Sequence, residues 1–246
     1  MEVFLFVTDI ITFFSPTDRL RKDNAMTKTP LNILHVSSSP QPQRSGQQFG
    51  GSHSRELTGH FLDRWRQTRP DDLVVERDVG TNPPAAVTRN WLRGSFSDPA
   101  TYDDSIRSAL AESDVLAHEL LKADVIVAGV AVYNFGVPAQ LKAWIDNIVR
   151  VGLTFSVTNG EKGMLAPGKH LVIATSAGSR ESGDVDSGAD AAIAAVREPL
   201  FHLGVSKIDV VSVYGALSKK DYFEASLAAA FKKIDVLVGD IQKEFS

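Results

Sequence analysis

The chain has 246 residues, 43% of them apolar and 23% charged, which is a globular composition large enough for one well-buried domain. A net charge of −4, with signs mixed along the chain, argues against a basic nucleic-acid surface. The absence of cysteine excludes disulfides, thiolate nucleophiles and cysteine-held zinc or iron–sulfur centres, and it fits a reducing, cytoplasmic setting.

The N-terminal stretch stands apart. Val3 to Phe14 is an apolar run broken by Thr8, Asp9 and Thr12, too short to span a bilayer. Glu2 precedes it and Arg19, Arg21 and Lys22 follow it, the reverse of a secretory signal. A second methionine, Met26, stands just before Thr29-Pro30. The expectation is therefore that residues 1–26 form an extension that is dispensable or disordered, and that residues 27–246 form one domain. The competing expectation is an extra strand or helix packed on that domain.

Beyond Met26, strand-like and helix-like patterns alternate. Leu31 to Val36 is a short apolar run and reads as a buried strand. Ser37 to Gly51 is a loop of Ser, Pro, Gln and Gly, and Ser54 to Trp65 follows as a helix with Leu57, Phe61, Leu62 and Trp65 on one face. Leu73 to Val79 reads as a second strand, and Gly80 to Tyr102, with Pro83, Pro84 and Pro99, as a long irregular loop. Ile106 to Leu121 is helical, Val125 to Val132 a buried central strand, Tyr133 to Pro138 a turn, and Ala139 to Val149 a helix. Leu171 to Thr175 is a fourth strand and Ser176 to Ala189 a loop. A helix over Ala191 to Leu203, a strand over Ile208 to Val213 and a helix over Tyr222 to Ile241 complete the chain.

This alternation predicts an α/β fold, a parallel sheet covered by helices on both faces. Five strands favour the doubly wound order 2-1-3-4-5, in which ligands bind at the carboxyl ends of the strands where the order reverses. The loops after strands one, three and four are therefore the candidate site.

The first loop carries Ser37, Ser38, Ser39, Ser45, Ser52 and Ser54 and opens a helix. Hydroxyls and free backbone N–H groups at a helix N-terminus suit a phosphate; the plainer alternative is an N-cap and a solvated loop. The third, Val132-Tyr133-Asn134-Phe135-Gly136-Val137-Pro138, places aromatics and an amide where a flat heterocycle would lie. Its alternative is a packed aromatic turn ending in a helix-starting proline. The fourth, Ser176-Ala177-Gly178-Ser179, offers small residues and N–H donors, or is an ordinary β-to-α turn.

Sharper motifs are missing. There is no G-x-G-x-x-G, no G-x-S-x-G elbow and no H-E-x-x-H zinc pair. Gly163 to His170 resembles a phosphate loop, but His170 replaces the Ser or Thr and a strand follows, so it reads as a turn. His118 and His202 read as structural or surface residues, and His53 is the one histidine inside the candidate phosphate loop.

Taken together, the segments ILHVSSSP, SHSREL, AVYNFGVPAQLKAWIDNIVRVGLTF (Ala131 to Phe155) and GKHLVIATSAGS closely resemble the FMN-dependent NADH-azoreductases, also described as FMN-dependent NADH:quinone oxidoreductases. The resemblance spans roughly residues 31 to 243. It implies a single flavodoxin-like FMN-binding domain and a homodimer. The implied cycle is ping-pong: NADH or NADPH reduces FMN, and quinones or aromatic azo compounds reoxidise it. Carried over by position, Ser39, Ser52, His53 and Ser54 would hold the FMN phosphate. Val132, Tyr133, Asn134 and Phe135 would line the isoalloxazine ring, and Ser176, Ala177, Gly178 and Ser179 would meet its pyrimidine edge. Asn134, Phe135 and Phe155 are the candidate walls of the substrate pocket. No obligatory acid–base side chain, metal, nucleic acid or membrane is implied.

The chain departs from the family pattern at Val132, where Met is usual, and at Ala177 and Ser179, where Arg and Gly are usual. Gln47 to Gly51 read as an insertion between the serines of the phosphate loop. Three further readings share the fold: another flavin or quinone reductase, a flavodoxin-type electron carrier, and a flavin-free binding protein.

Overall fold

The computed structural model describes residues 29–43, 51–156, 165, 167–176, 178, 188–216 and 220–245. The expected extension 1–26, the inserted residues as far as Gly50, and Ala177 and Ser179 lie outside the described residues.

The elements in chain order are β1 (Asn32–Ser37), α1 (His53–Thr68), β2 (Leu73–Asp78), α2 (Arg89–Ser95), α3 (Asp104–Lys122), β3 (Val125–Ala131), α4 (Ala139–Ile148), β4 (His170–Ser176), α5 (Ala189–His202), β5 (Lys207–Val213) and α6 (Lys220–Glu244). The strands form one five-stranded parallel sheet in the order β2-β1-β3-β4-β5, as the alternation predicted. Every residue of β3 is buried, because helices cover this central strand on both faces and its run of Val, Ile and Ala packs on both.

Each face has its own core. Trp65, Phe61 and Leu57 of α1 join Phe223, Ile234 and Ile241 of α6 against Ile33, Val125, Val127 and Val172. On the opposite face Leu116, Leu120, Leu141, Trp144, Ile148, Val196 and Leu200 pack against Leu34, Ile126, Ala128 and Ile173. Strand side chains alternate between the faces, so β1, β3, β4 and β5 feed both cores.

At the amino ends of the strands, the Asp72 carboxylate gathers four donor atoms. Arg69 donates from Nε at 2.6 Å and Nη2 at 3.1 Å, the Trp65 indole N–H at 2.7 Å, and the Leu31 backbone N–H at 3.0 Å. Burial alone would raise the Asp72 pKa, but these hydrogen bonds and the Arg69 charge outweigh it and hold the carboxyl below its ordinary range.

One expectation is corrected. The segment 80–102 is not wholly irregular, since it contains α2 and a single 3-10 turn at Pro99–Thr101. Thr88 caps α2, its side chain accepting from the Trp91 N–H. Trp91 then buries itself against Ile106 and Leu110 of α3. With seven residues and two adjacent apolar side chains, α2 shows no helical period in the sequence.

Candidate functional site

The carboxyl ends of β1, β3 and β4 come together, because β1 and β3 are neighbours running parallel and β3 and β4 likewise. Ser37 stands opposite Gly129, and Ala131 opposite Ser176.

The chain leaves β1 through Ser38, whose hydroxyl donates to the Gly129 carbonyl at 2.8 Å and accepts from the Ala131 N–H at 2.9 Å. That buried hydroxyl fastens the start of the first loop to β3. Ser39 comes next and is buried. Its carbonyl accepts from the Arg55 guanidinium, from Nε at 3.1 Å and Nη2 at 2.5 Å. The same Nη2 donates to Asp78 at 2.6 Å. Burial pushes the Asp78 pKa up, but hydrogen bonds from Arg55 and Thr81 and the Arg55 charge pull it further down, so Asp78 sits below its ordinary value. A Cβ on Gly80 would lie 2.1 Å from the Ser39 oxygen, so only glycine lets the end of β2 pass this carbonyl so closely.

The loop returns at Ser52, the N-cap of α1, whose side chain accepts from the Arg55 N–H. The Ser52 and Ser54 hydroxyls are 3.0 Å apart and both residues are buried. The first N–H groups of a helix have no partner within it, and the helix dipole is positive there. The His53 ring leans on Phe223 of α6, with centroids 4.6 Å apart, and its Nδ1 is 3.4 Å from Glu56.

After β3, Val132 is half-buried against the core, and the strand ends one residue earlier than predicted, at Ala131. Tyr133 to Gly136 closes a tight turn through two backbone bonds, Tyr133 N–H to Gly136 O at 2.9 Å and Gly136 N–H to Tyr133 O at 3.1 Å. Asn134 and Phe135 both lie in the left-handed region, with φ of 48° and 67°. Phe135 is 70% exposed and Tyr133 40%. The Tyr133 hydroxyl reaches back to the Ser39 hydroxyl at 3.2 Å. Ser176 ends β4 half-buried, and Gly178 is half-buried in the loop beyond.

The structure thus brings together Ser39 and Tyr133 and carries Asn134 and Phe135 on the same turn; Ser52, His53 and Ser54 open the helix below. Phe155 is not among them. Its ring packs 4.9 Å from His202, at the far end of α5. That helix has 14 residues and begins beside Phe135, so Phe155 lies about 20 Å away in its own chain. Arg55, Asp78 and Gly80 went unassigned in the sequence; the only signal for Arg55 was its place in the S-H-S-R-E-L segment. Among the described residues no cluster of three or more His, Cys, Asp or Glu could hold a metal, and no helix is long and apolar enough to cross a membrane.

A family of flavodoxin-like fold matches residues 31–238. The FMN-dependent NADH:quinone oxidoreductase 2 of Trichormus variabilis is 38% identical over 201 residues, covering 81% of this chain and 94% of that protein. The chain belongs to the FMN-dependent NADH:quinone oxidoreductase family. An azoreductase from Bacillus anthracis strain Sterne has a TM-score of 0.74 at 23% identity, covering 85% of this chain and 99% of its own. An FMN-dependent NADH-azoreductase from the Ames Ancestor strain, solved in complex with FMN, has a TM-score of 0.73 at 17% identity, covering 85% and 98%. At these identities the two structures speak for the fold. Family membership makes this chain an oxidoreductase.

Proposed function

We propose that the protein is an FMN-dependent NAD(P)H oxidoreductase that reduces quinones to hydroquinones and cleaves aromatic azo compounds to amines. The observation that carries this reading is the Ser39–Tyr133 contact. It joins a buried serine cradle at a helix N-terminus to an exposed aromatic turn, the two chemistries one flavin mononucleotide needs.

The donor set fits FMN. Ser39, Ser52 and Ser54, with the first N–H groups of α1 and His53 beside them, would hold the phosphate. Val132, Tyr133, Asn134 and Phe135 would line the ring, and Ser176 and Gly178, with Ala177 and Ser179, would meet its pyrimidine edge. When bound, FMN supplies the redox chemistry, taking a hydride from NADH or NADPH and passing two electrons to the acceptor in ping-pong order. The chain's own part is placement. Arg55 and Gly80 fix the Ser39 carbonyl, and Ser38 ties the loop to β3. Backbone N–H groups near the ring's polar edge would steady negative charge there.

We also propose a homodimer. A groove of about 640 Å³ between α2, α4 and α5 is lined by Trp91, Leu92, Ile145, Val149, Pro199 and His202. Phe96 and Phe201 are exposed on α2's C-cap and on α5 respectively. A second copy covering this face would bury that apolar surface. Phe155 can then wall an active site only as a contribution from one copy to the other.

The test is an NADH-oxidation assay with purified protein, with and without FMN and benzoquinone. Quinone-dependent consumption that requires FMN, with parallel double-reciprocal lines, is the expected result. Bound FMN without turnover would favour the electron carrier, and colourless protein that stays colourless with FMN would sink the reading.

A further inference from the structure

We propose that Gly188 is the positioning residue for the ring-facing turn, an inference that rests on the flavin reading above for its functional consequence but not for its structural core. Asn134 and Phe135 occupy the two central positions of a turn with both φ angles positive. Such type I′ turns favour Asn followed by Gly. Asn134 satisfies the first position. Phe135 occupies the second against its backbone preference, while the residue is 70% exposed and buries little in return. Residues held in strained backbone with an exposed aromatic ring belong to sites that use the ring.

Something must hold this turn. The structure places Gly188, the left-handed N-cap residue of α5, directly against it. A Cβ on Gly188 would stand 2.4 Å from Phe135 Cα, 2.7 Å from its carbonyl carbon and 3.0 Å from its carbonyl oxygen. All three are backbone atoms, so no change of rotamer relieves the contact. Behind Gly188, α5 is anchored by Ala192, Ile193, Val196 and Leu200 in the core. The helix is therefore a fixed stop and the exposed turn is the part that yields. The bare backbone of Gly188 sets how far the turn settles toward α5, and so where the Phe135 ring sits.

Gly168 supplies the control. It too is left-handed, with φ of 93°, but nothing lies within 4 Å of its would-be Cβ, and it stands before β4 at the opposite end of the sheet. Melting temperatures of the apoprotein and FMN dissociation constants from fluorescence quenching would be measured for wild type, Gly168→Ala, Gly188→Ala, Phe135→Gly and the Gly188→Ala/Phe135→Gly pair. Both alanine variants are expected to melt lower from left-handed strain. Only Gly188→Ala should weaken FMN, by about tenfold, on the scale of one displaced aromatic contact.

In the apoprotein, Phe135→Gly should melt higher, and Gly188→Ala should cost less in that background, because glycine lets the turn move away. Additive shifts in the apoprotein, or wild-type FMN affinity in Gly188→Ala, would overturn the proposal. If Gly188→Ala does not fold alone, recovery by Phe135→Gly supports it and failure in both backgrounds overturns it. A wild type that binds no FMN would refute the flavin reading instead, and the apoprotein cycle would still decide the contact.

Discussion

The Ser39 hydroxyl lies 3.2 Å from the Tyr133 hydroxyl. One residue belongs to the loop after β1 and the other to the turn after β3, so this contact couples the predicted phosphate end of the site to its ring end. Tyr133→Phe removes the coupling and keeps the ring. One lost hydrogen bond of about 1 kcal/mol corresponds to roughly fivefold weaker binding. FMN titration should show that loss, with an unchanged far-UV spectrum and a melting temperature lowered by about 2–4 °C.

Arg55→Ala acts lower in the same structure. It frees the Ser39 carbonyl and leaves Asp78 without its guanidinium partner. Hydrogen bonds to charged groups contribute about 1.5–3 kcal/mol, and the lower end applies here because the Asp78 side chain is 33% exposed. Urea denaturation should show that loss of stability, and FMN affinity should fall as Ser39 loosens. Arg55→Lys should recover only part of the loss, since an ammonium cannot also supply the second, Nε, bond to the Ser39 carbonyl that the guanidinium fork makes.

Gly80→Ala sets a methyl group against the Ser39 oxygen at 2.1 Å. The end of β2 or the serine loop must move, a strain of about 1–3 kcal/mol. A lower urea midpoint together with weaker FMN binding is expected. Unchanged values of both would show that this close approach is not needed.

Asp72, at the other end of the sheet, contributes to acid stability. Its pKa is lowered in the folded state, so the folded chain binds the proton less readily than the unfolded chain. The resulting stability is complete above the unfolded value of about 3.9 and disappears as pH falls through the lowered folded value. The Asp72 and Arg69 side chains are each 3% exposed. Removing one partner of such a buried pair costs about 3–5 kcal/mol. At pH 7, Asp72→Asn should lose that much by urea denaturation, and its stability should fall less steeply than wild type as pH drops below 4.

Much of this was legible in the sequence. The central strands β1, β3 and β4 are buried runs rich in Val, Ile, Leu and Ala, and the alternation of strands with amphipathic helices left the order 2-1-3-4-5 as the favoured topology. Each strand was found to within one or two residues, and Leu57, Phe61, Leu62 and Trp65 are buried along α1 as their spacing required. Helix α2 was hidden because its two apolar residues are adjacent and proline-rich segments flank it. Arg55 carried no assignment in the sequence, because its role lies in contacts across the sequence to Ser39 and Asp78. The left-handed Phe135 was hidden for a different reason. A phenylalanine disfavours that conformation in its own right, and the residue that packs against it, Gly188, lies more than fifty positions away.

The claim on which the account rests is that the serine loop at the start of α1 is a phosphate cradle. The direct measurement compares dissociation constants of FMN and riboflavin, for wild type and for the Ser52→Ala/Ser54→Ala double variant. The account predicts that wild type binds FMN far more tightly than riboflavin. The double variant should lose most of that preference while its riboflavin affinity stays the same. Equal binding of FMN and riboflavin by wild type, or a preference that survives loss of both hydroxyls, would contradict it.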